Sequence, residues 1–202
     1  MARPYKEAAR TLYAIAQAQQ GFFTTKQAIH AGLSEKTHAH HVRVGNWIRA
    51  HRGIYRLAEF PPAERPDLML WYLWSRNRNE VAEGTYSHDT ALSLHELSDI
   101  MPSKLHMTVP KYFRRNSRTP EILMLHRADL SKEDVQETQG VRVTRPLRTI
   151  LDLLASGHVD KSQIGQAIDD ALRRGLVTRK QIDSLPNETL RNSFRELAGQ
   201  RR

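Results

Sequence analysis

The segment that most constrains this chain is Ala31-Gly32-Leu33. It joins two short helical stretches with the spacing of a helix-turn-helix, and two β-prone runs follow almost at once. Upstream, Tyr5 to Gln20 has apolar residues at helical spacing (Leu12, Ile15 and Ala16, with Ala8 and Ala9 one turn earlier), and Gly21 is placed to end that helix. Phe22-Phe23 are apolar, and Thr24 or Thr25 can cap a second helix, Lys26 to Ala31, with Ala28 and Ile29 facing inward. Ser34 is the N-cap expected for a third helix that runs to about Val44, with Glu35 in its first turn and Gly45-Asn46 closing it. Trp47 to His51 and Ile54 to Leu57 flank Arg52-Gly53 as a hairpin would. A helix-turn-helix followed by a hairpin is a winged helix.

The charge is uneven along the chain. The 202 residues carry 31 Lys and Arg against 22 Asp and Glu, a net charge of +9. Residues 1–60 hold 9 basic and 3 acidic side chains, a net +6, together with five of the ten histidines (His30, His38, His40, His41 and His51). The remainder is nearly neutral for its length. A basic module on a neutral partner points to an anionic ligand, with nucleic acid ahead of a membrane surface. Three prolines in Pro61-Pro62-Ala63-Glu64-Arg65-Pro66 mark the boundary, so the expected domains are 1–60 and 61–202.

The third helix is the expected reader of DNA. Lys36, His40 and Arg43 fall at i, i+4 and i+7 on one stripe, flanked by Thr37 and His41, while Ala39 and Val42 can pack inward. Donors on such a helix reach base edges in the major groove. Arg49, His51 and Arg52 on the hairpin would grip phosphate and fix register. His38 and His41 are one turn apart, as metal ligands can be. No third ligand stands at a matching spacing, so no metal is assigned there.

Residues 61–202 read as α+β. Helices are expected at Arg65 to Arg78, Thr90 to Leu97, Leu147 to Leu154 (led by Thr144-Arg145-Pro146), and about 161–174, 178–184 and 187–199. Strands are expected at Leu105 to Pro110, Glu121 to His126 and Val141 to Val143. The whole is therefore an α+β chain: an N-terminal winged helix-turn-helix, then a mixed α/β domain with a small sheet and C-terminal helices. Lys111 to Arg118 carries Lys111, Arg114, Arg115 and Arg118 with no acid and two aromatics. It is either a solvated hairpin tip or a secondary nucleic-acid or partner contact.

Several chemistries find no support. Cysteine is absent, which removes disulfides, thiol catalysis and zinc ribbons. No apolar run approaches the about 18 residues of a membrane helix, and the N-terminus lacks a signal core, so a cytoplasmic protein is expected. Phosphate-cradling glycine motifs are missing. Ser87-His88-Asp89 is read as capping, because neighbouring side chains are not expected to hydrogen-bond as a triad does. A restriction-type nuclease needs Pro-Asp and then an acid two residues before a lysine. Pro66-Asp67 is present, but none of the eight lysines has that acid, and only a looser Glu137-Thr-Gln139 remains. No enzyme, cofactor or metal is expected.

The blocks Gly21-Phe-Phe-Thr-Thr-Lys-Gln-Ala, Ala31-Gly-Leu-Ser and His51-Arg-Gly-Ile-Tyr-Arg-Leu resemble the AbiEi-type antitoxin and transcriptional-regulator family of abortive-infection systems. Ser87-His-Asp-Thr-Ala-Leu, Leu94-His-Glu-Leu, His106-Met-Thr-Val-Pro and Val143-Thr-Arg-Pro-Leu-Arg-Thr-Ile-Leu-Asp-Leu-Leu resemble the later blocks, in family order. The resemblance implies a winged helix that binds double-stranded operator DNA and represses its own toxin–antitoxin operon. It implies a second domain that counters a nucleotidyltransferase-like toxin, directly or indirectly. The family's reading region maps onto Lys36, Thr37, His40, His41 and Arg43, and its wing onto Arg49, His51 and Arg52. Some relatives carry a nuclease-like domain after the block matching Arg173-Arg174-Gly175; with 27 residues following Gly175, none is expected. A stand-alone winged-helix regulator, or a degenerate nuclease, is the alternative. The protein is expected to be a monomer or to pair on DNA.

Overall fold

The computed structural model describes residues 5–98, 102–157 and 159–199. The chain divides into two compact units, one running to Glu83 with Gln139–Val141 added, the other formed by Gly84–Thr138 and Arg142 onward. The division thus falls at 83/84, beyond the proline cluster at which the sequence places the boundary. Helix α4 (Pro66–Trp74) packs on strands of the first unit, which keeps the segment after the prolines in that unit.

Unit 1 begins with α1 (Tyr5–Gln17), which buries Ala8, Leu12 and Ala16 at intervals of four. The helix stops three residues short of the expected end. The chain turns through Gln20 and Gly21, both at positive φ, and the Gly21 amide donates to Ala16 O at 2.7 Å. Strand β1 (Phe22–Thr24) follows, where the sequence showed only two apolar residues. In α2 (Thr25–Ala31), Thr24 is the N-cap and forms a reciprocal capping box with Gln27. Gly32 closes α2 in the left-handed conformation. Its buried face is Ala28 and Ala31; Ile29, expected inward, is 46% exposed. Helix α3 (Glu35–Arg43) starts at Ser34, whose side chain makes no capping bond; instead the Thr37 hydroxyl donates to Ser34 O at 2.7 Å. Strands β2 (Trp47–His51) and β3 (Ile54–Leu57) form the expected hairpin. The three strands pair antiparallel in the order β1-β3-β2, with Phe23 opposite Tyr55.

Unit 2 holds a five-stranded sheet in the order β6-β5-β4-β8-β7. Its strands are β4 (Thr85–Tyr86), β5 (Leu105–Val109), β6 (Leu123–Arg127), β7 (Val135–Thr138) and β8 (Val141–Thr144). Strands β5 and β6 run parallel in unbroken register from Leu105–Leu123 to Val109–Arg127. The basic stretch between them is therefore a crossover and not a hairpin tip, since parallel neighbours cannot be joined by a tight turn. Helix α5 (His88–Leu94) leads from β4 toward β5. Helices α6 (Pro146–Ser156), α7 (Lys161–Arg173), α8 (Arg179–Asp183) and α9 (Glu188–Gly199) close the unit. Leu92, Ile150, Leu153, Ile164, Ile168 and Phe194 pack into one apolar core among them. Arg145, not Thr144, occupies the N-cap of α6; the Thr144 and Thr149 hydroxyls bond to each other at 2.8 Å. Among the described residues no helix is long and apolar enough to cross a membrane.

The capping reading of Ser87-His88-Asp89 needs correction. Ser87 occupies the N-cap of α5, but its side chain makes no capping bond. Its Oγ accepts from Thr108 Oγ1 at 2.8 Å and lies 2.9 Å from His88 Nδ1. The neighbouring side chains meet although they are adjacent in sequence, and His88 stands at φ +50°, in the left-handed region. Asp89 faces His106, with 3.4 Å between Oδ2 and Nε2.

Gly21 offers a direct check on how tightly unit 1 is built. A Cβ there would come within 2.6 Å of the Phe60 ring, and φ is +88°. Gly45 has a similar φ but nothing within 4 Å of a built Cβ. Gly45→Ala should cost about 1 kcal/mol of backbone strain, whereas Gly21→Ala should cost about 2–4 kcal/mol, because overpacking adds to the strain. Denaturant unfolding of the two variants measures the difference.

Candidate nucleic-acid interface

Helix α3 is divided into two faces. Lys36, His40 and Arg43 are all exposed along one stripe, with Arg43 Nη2 3.3 Å from His40 Nδ1. Thr37 is exposed beside them, and its hydroxyl is held by the first turn. The opposite face is made by His38, His41 and the half-buried Val42. Ala39, expected inward, is exposed next to the basic stripe.

The two buried histidines replace the aliphatic contacts that the sequence reading expected. His41 is 7% exposed and stacks on Trp47 with ring centroids 4.5 Å apart and planes 18° apart. Tyr5 stacks on His41 at 6.1 Å. His38 is 3% exposed, its ring 5.1 Å from that of Trp47. Phe23 meets the edge of Trp47 at 4.8 Å, and Tyr55 lies 5.6 Å away. Trp47 thus ties α3, β1 and β3 together. His41 is a packing residue of this cluster, so its ring is not among the side chains α3 offers outward. The pairing of His38 with His41 is likewise explained by packing on one indole.

The hairpin divides in the same way. Arg49 and Arg52 are exposed. His51 is not at the tip: it is half-buried and meets Trp71 of α4 edge-on at 5.4 Å. An irregularity in register between Arg49 and His51 breaks the strict alternation of β2. The turn itself is anchored, since the Thr25 amide at the start of α2 donates to Gly53 O at 3.0 Å. Arg56, the remaining cation of the hairpin, is spent internally, donating to Phe60 O and Pro61 O at 2.9 and 2.7 Å.

Two apolar side chains that the sequence reading gave no part on this surface are exposed: Val44 just past α3 and Ile48 on β2, 50% and 49% exposed. Alternation along β2 carried the signal, because a buried Trp47 puts Ile48 on the other face. Apolar side chains in such a place can contact thymine methyls.

In unit 2, the Lys111–Arg118 stretch presents Tyr112 at 87% exposure with Arg114 and Arg118 also outward, while Phe113 is buried and anchors it. Arg127 donates to Lys111 O and Phe113 O, and Lys111 pairs with Asp129 at 3.4 Å. Arg118 pairs with Glu121 at 3.4 Å. Asp67, the acid of the nuclease alternative, is held by Arg65 through two hydrogen bonds of 2.9 and 3.1 Å.

Burial pushes the His41 pKa below the ordinary imidazole value, and His40 and His38 push it the same way. A folded pKa below the unfolded one means that stability is complete while both states are neutral. It is lost as pH falls below about 6.5, where the unfolded chain takes up the proton first. Thermal unfolding followed from about pH 7.5 to about pH 5 should therefore show a steeper loss for the parent than for His41→Phe, which keeps the stack and cannot titrate. Equal slopes would remove His41 from this account.

Residues 10–58 match the family model described as "Transcriptional regulator, AbiEi antitoxin". No curated protein matches the chain significantly. Among solved structures, the chain is similar to the crystal structure of the RV2827C protein from Mycobacterium tuberculosis, with a TM-score of 0.54 and 13% identity over 98% of this chain and 78% of that one. At that identity the likeness is one of fold. The resemblance to the AbiEi-type antitoxin and transcriptional-regulator family therefore holds over residues 10–58, from within α1 to just past β3.

Proposed function

We propose that residues 1–60 act as a winged helix-turn-helix that binds operator DNA, with α3 as the reading helix and the β2–β3 hairpin as the wing. The observation that carries this reading is the outward stripe of Lys36, His40 and Arg43 on the second helix of the pair, with Arg49 and Arg52 exposed on the hairpin that follows. Thr37 completes the reading surface. Arg43, His40 and Lys36 meet base edges and neighbouring phosphates; Arg49 and Arg52 meet phosphate and fix register. His41 and His51 act behind this surface by holding α3 and the hairpin in place.

We further propose that the protein is an antitoxin and autorepressor of a toxin–antitoxin operon, working in the cytoplasm without a cofactor. Residues 61–202 would carry the function that counters a nucleotidyltransferase-like toxin. The regulator family matched by residues 10–58 supports the reading, as does the near-neutral charge after residue 60, which suits a protein partner better than nucleic acid. Lys111, Arg114, Arg115 and Arg118 offer a secondary contact for nucleic acid or for that partner.

The test is a gel-shift titration on the DNA upstream of the protein's own gene. Arg43→Ala with Arg52→Ala should abolish the specific shift while circular dichroism stays that of the parent. His41→Phe should leave affinity within about threefold, as fits a residue that contacts no base. Parental affinity should fall steeply with salt, since each neutralised phosphate releases counterions. A double variant that still gives the specific shift would overturn the assignment. A neighbouring gene for a nucleotidyltransferase-like protein, and rescue of growth when both are expressed, tests the antitoxin half separately.

A further inference from the structure

Unit 2 contains a cluster of histidines that the regulatory reading does not use. His88 opens α5, His106 lies on β5 and His126 on β6. Each offers one ring nitrogen within 4.8 Å of the others. His88 is 7% exposed, the His106 side chain is 12% exposed and His126 is half-buried. Three imidazoles from three elements, 38 residues apart from first to last, meet here through the sheet, in a chain that has no cysteine.

We propose that His88, His106 and His126 bind a divalent transition metal of the zinc class. Four features of the cluster argue for it. His106 Nδ1 and His126 Nε2 are hydrogen-bonded at 3.2 Å; two ligand nitrogens at about 2.0–2.1 Å from a tetrahedral zinc stand about 3.3 Å apart, so a metal can take the place of the shared proton, which is released, with little change in spacing. The other nitrogen of His106, Nε2, faces the Asp89 carboxylate at 3.4 Å. A carboxylate behind a ligating histidine fixes the tautomer and raises the basicity of the nitrogen that faces the metal. His88 Nδ1 lies 2.9 Å from Ser87 Oγ, which leaves Nε2 as its ligand atom, with Nδ1–H donating to the hydroxyl. Finally, His88 is held at φ +50°, a strained conformation for a residue with a Cβ, of the kind that clusters where side chains are aimed for function.

The arrangement also says what must move. His88 and His126 are stacked, with centroids 3.6 Å apart and planes 12° apart. A metal bound by both lies in the plane of each ring, and two nearly parallel planes do not meet there. Binding therefore tilts His88 out of the stack while the His106–His126 pair keeps its spacing. Three protein ligands leave a fourth position for water or for a ligand atom from a partner.

The experiment uses the full chain, produced without a polyhistidine tag and freed of metal with a chelator. Zinc is titrated by calorimetry and cobalt by its visible ligand-field bands. One equivalent should bind, and cobalt should give the intense bands of tetrahedral geometry. His106→Gln and His126→Gln should each weaken zinc binding by at least about a hundredfold, and Asp89→Asn by about ten- to a hundredfold. His30→Gln, at an exposed position on α2, should leave it unchanged. If a variant loses its native circular dichroism, histidine-ring NMR of the parent decides: zinc should shift the resonances of His88, His106 and His126 ahead of the other seven histidines. Failure to bind zinc or cobalt would overturn the proposal. So would binding that survives both glutamine variants, or ring resonances of the three that stay unmoved as zinc is added.

Discussion

The contact on which unit 1 depends is the packing of aromatic rings around Trp47. One indole on β2 receives Phe23 from β1, Tyr55 from β3, and His38 and His41 from α3. Small residues do the rest: Ala8, Ala16, Ala28 and Ala31 let the helices approach closely. In so small a core, a few rings supply much of the buried area, and ring pairs add specific geometry to the burial. The helix that bears the basic stripe is thereby fixed against the strands by its own rear face. Packing and exposure are separated by residue: His38 and His41 hold the helix, and Lys36, His40 and Arg43 face outward.

That separation gives a helix of nine residues a fixed orientation, as the proposed reading role requires. Alone it would be marginal in water. Its stability comes from packing, with the outward Thr37 hydroxyl holding the first turn, and Lys36, His40 and Arg43 remain exposed. Arg49 and Arg52 stand in the same relation to the hairpin. Burial holds the His41 pKa below the ordinary imidazole value, so this ring adds little positive charge behind the basic face near neutrality.

Much of this was legible in the sequence. Ser34, Gly45 and the Arg52-Gly53 turn delimit α3 and the hairpin, and the stripe follows from helical spacing alone. The inward face of α3 was not legible, because His38 and His41 count as polar until a neighbouring indole makes them aromatic filler. Ile29 was read inward on apolarity, yet the smaller Ala28 and Ala31 fit where helices meet. Strands β1 and β4 are three and two residues long and exist by virtue of partners distant in the chain. The same distance hid the parallel pairing of β5 with β6, and with it the meeting of His88, His106 and His126. Asp89 was read as a helix cap because only its neighbours in sequence were in view.

The hydrogen bond from the Thr25 amide to Gly53 O has a consequence for how such a protein can diverge. It fastens the tip of the hairpin to the first residue of the helix pair, so a longer or shorter turn would cost α2 the partner of its leading amide. Insertions that reshape the wing are thereby disfavoured. Under the proposed reading, new sequence preferences would arise by exchange of side chains on a fixed frame, at positions such as Lys36, His40 and Arg43, with the geometry of approach inherited unchanged.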